Sequence, residues 1–224
     1  MSIFSRRAVL LGSACLPLVT TSARADAVEL VIRINLPLDR TRTGTLDLQT
    51  ADGTTILSGL AALGKADSAK AGEKNNPDRL PIFPFGDTPE GTYSVPRLIS
   101  TGDGTSYSSH SYGSAGALVL KPEAGDALTA ALNGRVGLLI HSGDLGAGGH
   151  LRATHGCIRL SGADMQRLIQ AIMDAGDNTT FNRCDITVVS VLIGDESEEG
   201  AGDDEDDPPF DIEDLLSPIP ITKP

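Results

Sequence analysis

Residues 136–160 read VGLLIHSGDLGAGGHLRATHGCIRL, and this stretch decides how the rest of the chain is understood. Its first five residues are a short apolar run of the kind that forms a buried strand, and the run stops at His141, Ser142 and Gly143. Residues 143–149 are rich in glycine, but no helix follows directly and no Lys-Ser/Thr pair closes the stretch. It reads as a mobile loop over a site, not a phosphate loop. Sixteen residues after His141 stands Cys157, inside Thr154-His155-Gly156-Cys157-Ile158-Arg159-Leu160. A strand end thus carries an imidazole, and the loop that leaves it returns with a thiol.

Working outward, Val28, Leu30, Ile32 and Ile34 alternate with Glu29, Arg33 and Asn35. Leu46 and Leu48 alternate with Asp47 and Gln49 before the turn signal Asp52-Gly53. Period-two alternation bounded by turn residues predicts antiparallel strands. Residues 56–60, 93–98, 117–120 and 186–193 add further short apolar runs. Helical spacing is clear once, at Met165, Leu168, Ile169, Ile172 and Met173, with Ser161 as N-cap, Asp164 three residues on and Gly176 closing. A weaker helical pattern covers residues 124–132. Residues 65–89 and 100–114 are rich in Pro, Asn, Gly and Ser and predict long loops beside a site. The expected architecture is one domain, mainly β with one or two helices.

The 224 residues carry a net charge of -12, which excludes a general nucleic-acid binder. That charge is unevenly placed. Residues 194–224 hold twelve acids and one Lys, and residues 1–25 hold three Arg and no acid, which leaves -4 for residues 26–193. The start has a basic n-region (Arg6, Arg7), an apolar stretch over residues 8–19 and the small-residue site Ala23-Arg24-Ala25, the pattern of an export signal cleaved after Ala25. Ser5-Arg6-Arg7 before Ala8-Val9-Leu10 resembles a twin-arginine leader. The apolar stretch is shorter than the roughly 18 residues of a spanning helix, and Pro17 interrupts it, so the mature chain is expected to be soluble rather than membrane-embedded. Like-charge repulsion predicts a solvated, disordered tail over residues 194–224, with Phe210, Ile212, Leu215 and Leu216 as the positions a partner would engage.

The residues at 141–160 suit one chemistry. A thiol attacks a carbonyl only as thiolate, so Cys157 needs an imidazole to take its proton, and His141 at a rigid strand end supplies one. That imidazole must itself be oriented; Ser142 or a loop carbonyl is the available partner type. Gly156 removes a side chain just before the Cys, so the amides of Gly156 and Cys157 can point at a developing oxyanion. Arg159 can offer its planar fork to a substrate carboxylate.

These residues resemble the L,D-transpeptidase catalytic domain of bacterial cell-wall enzymes, whose signature is a His, a spacer and Ser/Thr-His-Gly-Cys-apolar. Thr154, His155, Gly156, Cys157 and Ile158 match in order, and Thr88-Pro89-Glu90-Gly91-Thr92-Tyr93 resembles a second family segment, so the likeness spans residues 28–193. The resemblance implies a β-sandwich-like catalytic fold, no cofactor or metal, and peptidoglycan stem peptides as partners in the periplasm. Cys157 would attack the carbonyl at the L-centre of diaminopimelate in a tetrapeptide stem and expel D-Ala. His141 would be the base, and Thr154, His155 and Gly156 would shape the pocket and oxyanion site. An amine acceptor gives a 3→3 cross-link; water gives an L,D-carboxypeptidase. The spacer is short for the family and no wall-binding module is attached.

Blander alternatives stand beside this. Cys157 could pair with Cys184 in an oxidising compartment, although Cys184, next to a strand, is expected to be packed and unpaired. His141, His150, His155 and Cys157 could bind zinc, although their spacing matches no strong zinc pattern. His110 and His150 read as loop residues, and Arg159 could be a surface ion-pair residue. Three function classes follow: a cysteine transpeptidase, a stem-trimming hydrolase, and an exported wall-binding protein without activity.

Overall fold

The computed structural model describes residues 28–175 and 179–189. The expected export signal, Gly176 and the acidic tail lie outside the described residues. The alternation at the start of the domain becomes β1 (Val28–Pro37), with Leu30, Ile32, Ile34 and Leu36 wholly buried. β1 is central because it pairs on both edges, antiparallel with β2 (Gly44–Thr50) and parallel with the last described strand, β10 (Thr179–Val189). With β3 (Thr55–Ala62), β4 (Gly91–Ser94) and β7 (Lys121–Ala124) these form a six-stranded sheet of order β3-β2-β1-β10-β4-β7. The turn into β3 forms as the Asp52-Gly53 signal predicts: Gly53 takes φ +92°, and the Asp52 carboxylate accepts from the Thr50 hydroxyl and the Thr54 amide.

A four-stranded sheet of order β5-β6-β8-β9 carries the chemistry-bearing stretch, as β5 (Leu98–Ile99), β6 (Ala117–Val119), β8 (Leu139–His141) and β9 (Ile158–Arg159). One core joins the layers: Ile32, Ile34, Leu46 and Leu48 of the first sheet cluster with Ile140, Ile158 and Leu160 of the second. α4 (Gly162–Asp174) lays Met165, Leu168 and Ile169 on that cluster, and the Ser161 side chain caps it by accepting from the Asp164 amide.

The expected fold class holds: mainly β, in two sheets with short helices. Its details differ from the sequence pattern where local chemistry intervenes. The apolar run 93–98 divides between β4 and β5, in different sheets, at Pro96, which has no N–H for a ladder. The run 136–140 becomes strand only at Leu139, because Gly137 sits at φ +77°. The helical pattern at 124–132 forms as α3 (Asp126–Leu132). Two shorter helices, α1 (Ser68–Glu73) and α2 (Ser109–Tyr112), lie inside the expected loops, each started by a side-chain cap from Asp67 or Ser108.

Cys184 and Tyr93 face each other in register on β10 and β4, both fully buried. Burial pushes the Cys184 thiol and the Tyr93 phenol up from their ordinary values. Both groups therefore stay protonated in the folded chain while the unfolded chain loses their protons above about pH 8.5 and about pH 10. The folded state then binds more protons, so stability falls as pH rises through this range. Thermal unfolding followed from pH 7.5 to 10 should show a declining midpoint. Cys184→Ala should be about 1 kcal/mol less stable at pH 7.5 yet decline less steeply above pH 8.5.

Candidate active site

The register of one short ladder sets the site. β8 and β9 run parallel with Ile140 opposite Ile158 and His141 opposite Arg159, and the Leu160 amide donates to the His141 carbonyl at 2.9 Å. Side chains alternate across a strand, so Ile140 and Ile158 enter the core while Leu139, His141 and Cys157 line a cavity of about 470 Å³ on the other face. Tyr112, Arg135, Thr154 and His155 line the same cavity, and α1 contributes Lys70 and Glu73 to its wall, with Lys74 just after it.

His141 is 2% exposed. Its Nδ1 lies 2.6 Å from the main-chain carbonyl of Ser142. A carbonyl only accepts, so the neutral ring carries its proton on Nδ1 and keeps the Nε2 lone pair for a proton from elsewhere. The Tyr112 ring packs against the imidazole at 4.9 Å between centroids. Of the orienting partners expected, the loop carbonyl is the one found. The Ser142 hydroxyl instead points at Gly113, is buried, and has no hydrogen-bond partner among the described residues.

Cys157 is half-buried, with Sγ 3.8 Å from the Gly137 carbonyl. The turn before it is held from inside by Thr154, whose hydroxyl accepts from the Gly156 amide at 2.9 Å and donates to the Cys157 carbonyl at 3.0 Å. That is a correction to the expected oxyanion site, because one of its two amides, that of Gly156, is already engaged. Gly156 takes φ +96°, and a Cβ there would collide with the Arg135 guanidinium and the Gly86 carbonyl, so the position excludes every other residue. The Gly156 carbonyl accepts from the Thr88 hydroxyl at 2.8 Å and from Arg135 Nη2 at 3.3 Å. His155 meets Phe85 edge to face at 5.1 Å.

Arg159 departs from its expected role. It is 3% exposed, and its fork is directed at main-chain carbonyls, Nη1 to Ser111 at 3.1 Å and Nη2 to Asp144 at 2.7 Å. It clamps the loop after β8 to α2 and does not line the cavity. The residue that sequence reasoning missed is Arg135, 4% exposed, which donates to the carbonyls of Pro81, Phe83, Gly86, Asp87 and Gly156. No motif marks it; a charged residue at the head of an apolar run is the one available signal. Neither His110 nor His150 lines the cavity, and His110 lies instead 2.6 Å from Asp144 on the surface. Cys157 and Cys184 share no disulfide, and among the described residues no three His, Cys, Asp or Glu side chains converge as a metal-ligand set.

A half-exposed thiol and a carbonyl-oriented imidazole on one cavity wall are what a cysteine acyltransferase requires. The family of L,D-transpeptidase catalytic domains (YkuD) matches residues 32–191, and the chain belongs to that family. Its members are in general cysteine enzymes that act on peptidoglycan stem peptides. No curated protein matches the chain.

The Thr154 hydroxyl bridges two main-chain groups, so Thr154→Val should cost about 1–3 kcal/mol by leaving both without that partner, while Thr154→Ser should stay within about 1 kcal/mol of the parent. Urea unfolding measures both. Gly156→Ala should be the most damaging of the three, since it adds a steric collision to a left-handed backbone.

Proposed function

We propose that the protein is an exported peptidoglycan L,D-transpeptidase with Cys157 as nucleophile and His141 as base. The observation that supports it most directly is the placement of the Nδ1-anchored His141 and the half-exposed Cys157 on one wall of a single cavity. His141 Nε2 takes the proton from the Cys157 thiol, and Sγ adds to the carbonyl at the L-centre of diaminopimelate in a tetrapeptide stem. The tetrahedral intermediate collapses as imidazolium returns its proton to the departing D-Ala amine, leaving a thioester on Sγ. An amine of a second stem then attacks that thioester, His141 takes a proton from it, and the amide product leaves with the thiol restored.

Thr154 and His155 shape the pocket wall, and Gly156 supplies the close approach behind the nucleophile. The mature domain is residues 26–193, delivered to the periplasm by its twin-arginine-like leader, and residues 194–224 are a tail available to a partner. Periplasmic location suits a substrate that lies outside the cytoplasm. Among the described residues no helix is long and apolar enough to cross a membrane.

Disaccharide-tetrapeptide muropeptides incubated with residues 26–224 test this directly. Wild type should release D-Ala and give 3→3 linked dimers, with a thioacyl adduct visible by intact mass, and Cys157→Ala should give none of these. Tripeptide monomers in place of dimers would assign an L,D-carboxypeptidase using the same thiol. Neither adduct nor product would overturn the acyl-transfer assignment and leave a wall-binding role.

A further inference from the structure

Arg135 is placed unlike the other cations of the cavity. Lys74, just after α1, is exposed and Lys70 is partly so, where water screens them, whereas Arg135 is buried against the turn that carries the thiol. Its five hydrogen bonds, between 2.6 and 3.3 Å, tie the loop at 81–87 to Gly156, the residue before Cys157. All five acceptors are neutral carbonyls, and among the described residues no carboxylate contacts the guanidinium. The Asp87 carboxylate turns away, accepting from the Ala66 amide at 2.7 Å and lying 3.4 Å from Arg79. Arg135 Nε is buried with no partner among the described residues.

A buried cation without an anion in contact is costly, and such sites in folded proteins hold a counter-charge or a function that supplies one. Burial pulls the Arg135 guanidinium down to about 10, and negative charge on Tyr93, on Cys157 and on Asp87 works in the opposite direction. Tyr93 stays protonated, because burial holds its phenol above the ordinary value. Cys157 is thus the group through which an anion forms and disappears beside this cation during the reaction.

We propose that Arg135 is a positioning residue that fixes the Gly156–Cys157 turn and supplies the buried positive charge against which the Cys157 thiolate forms. This rests on Cys157 being the nucleophile. The ionisable groups that line the cavity with that thiol are His141 from β8, His155 from the turn itself, Tyr112 from α2, Lys70 and Glu73 from α1, Lys74 just after it, and Arg135. His141 can accept the proton, but an imidazole that does so at neutral pH gives a charge pair only while it stays protonated. Arg135 is charged throughout the working range. Its attraction for the thiolate is mutual, and because the guanidinium is buried its charge is screened less than one at the surface.

The test is the pH profile of iodoacetamide alkylation, read at Cys157 by peptide mass, for wild type, Arg135→Met, Arg135→Lys and His141→Ala. Wild type should react well below the ordinary thiol value of about 8.5. A wild-type profile that follows an ordinary thiol overturns the nucleophile assignment itself, and so is distinct from failure of the Arg135 proposal. Arg135→Met should move the midpoint up by about 1 pH unit or more, and Arg135→Lys should keep most of the low midpoint, since it retains charge though not the fork. A folded Arg135→Met with the wild-type profile overturns the proposal and leaves Arg135 a structural brace. Where circular dichroism shows that Arg135→Met does not fold, His141→Ala decides. With the imidazole gone, a midpoint still below about 8.5 supports the buried cation, and one at or above that value overturns it.

Discussion

The parallel ladder between β8 and β9 is the constraint on which the site depends. It is short, with Ile140 opposite Ile158 and His141 opposite Arg159, yet it fixes on which side of the sheet every neighbouring side chain falls. A slip of one residue would send His141 into the apolar cluster and turn Ile140 outward. The register is secured by what the core demands, since Ile140, Ile158 and Leu160 are all fully or nearly fully buried beside β1 and α4. A second set of bonds reinforces it from the far edge: the amides and carbonyls of Leu63 and Arg159 exchange hydrogen bonds at 2.8 and 2.9 Å, and Asp67 donates to the Thr154 carbonyl at 2.7 Å. The segment after β3 therefore runs alongside the turn at 154–157 and β9.

Around that ladder the chain runs loops through the interior, and their carbonyls need donors that no strand provides. Buried arginines supply them. Arg40 donates to the carbonyls of Pro37 and Thr88, Arg135 to four carbonyls of the loop at 81–87 and to that of Gly156, and Arg159 to those of Ser111 and Asp144. A guanidinium offers five N–H groups in a fixed plane, so one side chain can join several loop segments that share no ladder. Thr88 extends the scheme by taking Arg40 on its carbonyl and giving its own hydroxyl to Gly156. The first sheet is coupled to the Gly156–Cys157 turn through this short polar chain.

This pattern also explains how far the sequence could be read. In the first sheet β1 and β2 were legible because they obey period-two alternation, whereas β7 lies where no strand was expected and β10 begins at Thr179, ahead of the expected run at 186–193; α4 was legible because its spacing and its Ser161 cap agree. The place of His141 at a strand end was legible because a short apolar run leads into it, and it lines one cavity with Cys157. Two-residue strands such as β5 and β9 are set by tertiary pairing and carry no period of their own. The arginines mark the limit most clearly. Arg159, beside the Cys in sequence, suggested a substrate contact, and its fork turned out to serve backbone carbonyls. Arg135, twenty-two residues before Cys157, donates to the carbonyl of the residue next to it. Sequence adjacency says which residues are near along the chain, and burial of a long side chain is decided by loops that the local pattern does not describe.

The overall charge of -12 misleads in the same way. Twelve of the acids fall in residues 194–224, and a charge in water acts over a Debye length of about 8 Å at physiological ionic strength. Exposed charges farther than that from a cavity wall contribute little to the potential there. Arg135, 4% exposed and bonded to the Gly156 carbonyl, acts through protein, where screening is weaker than in water. On the role proposed for Arg135, the potential at Cys157 follows from which charges are buried beside it, not from how many the sequence contains.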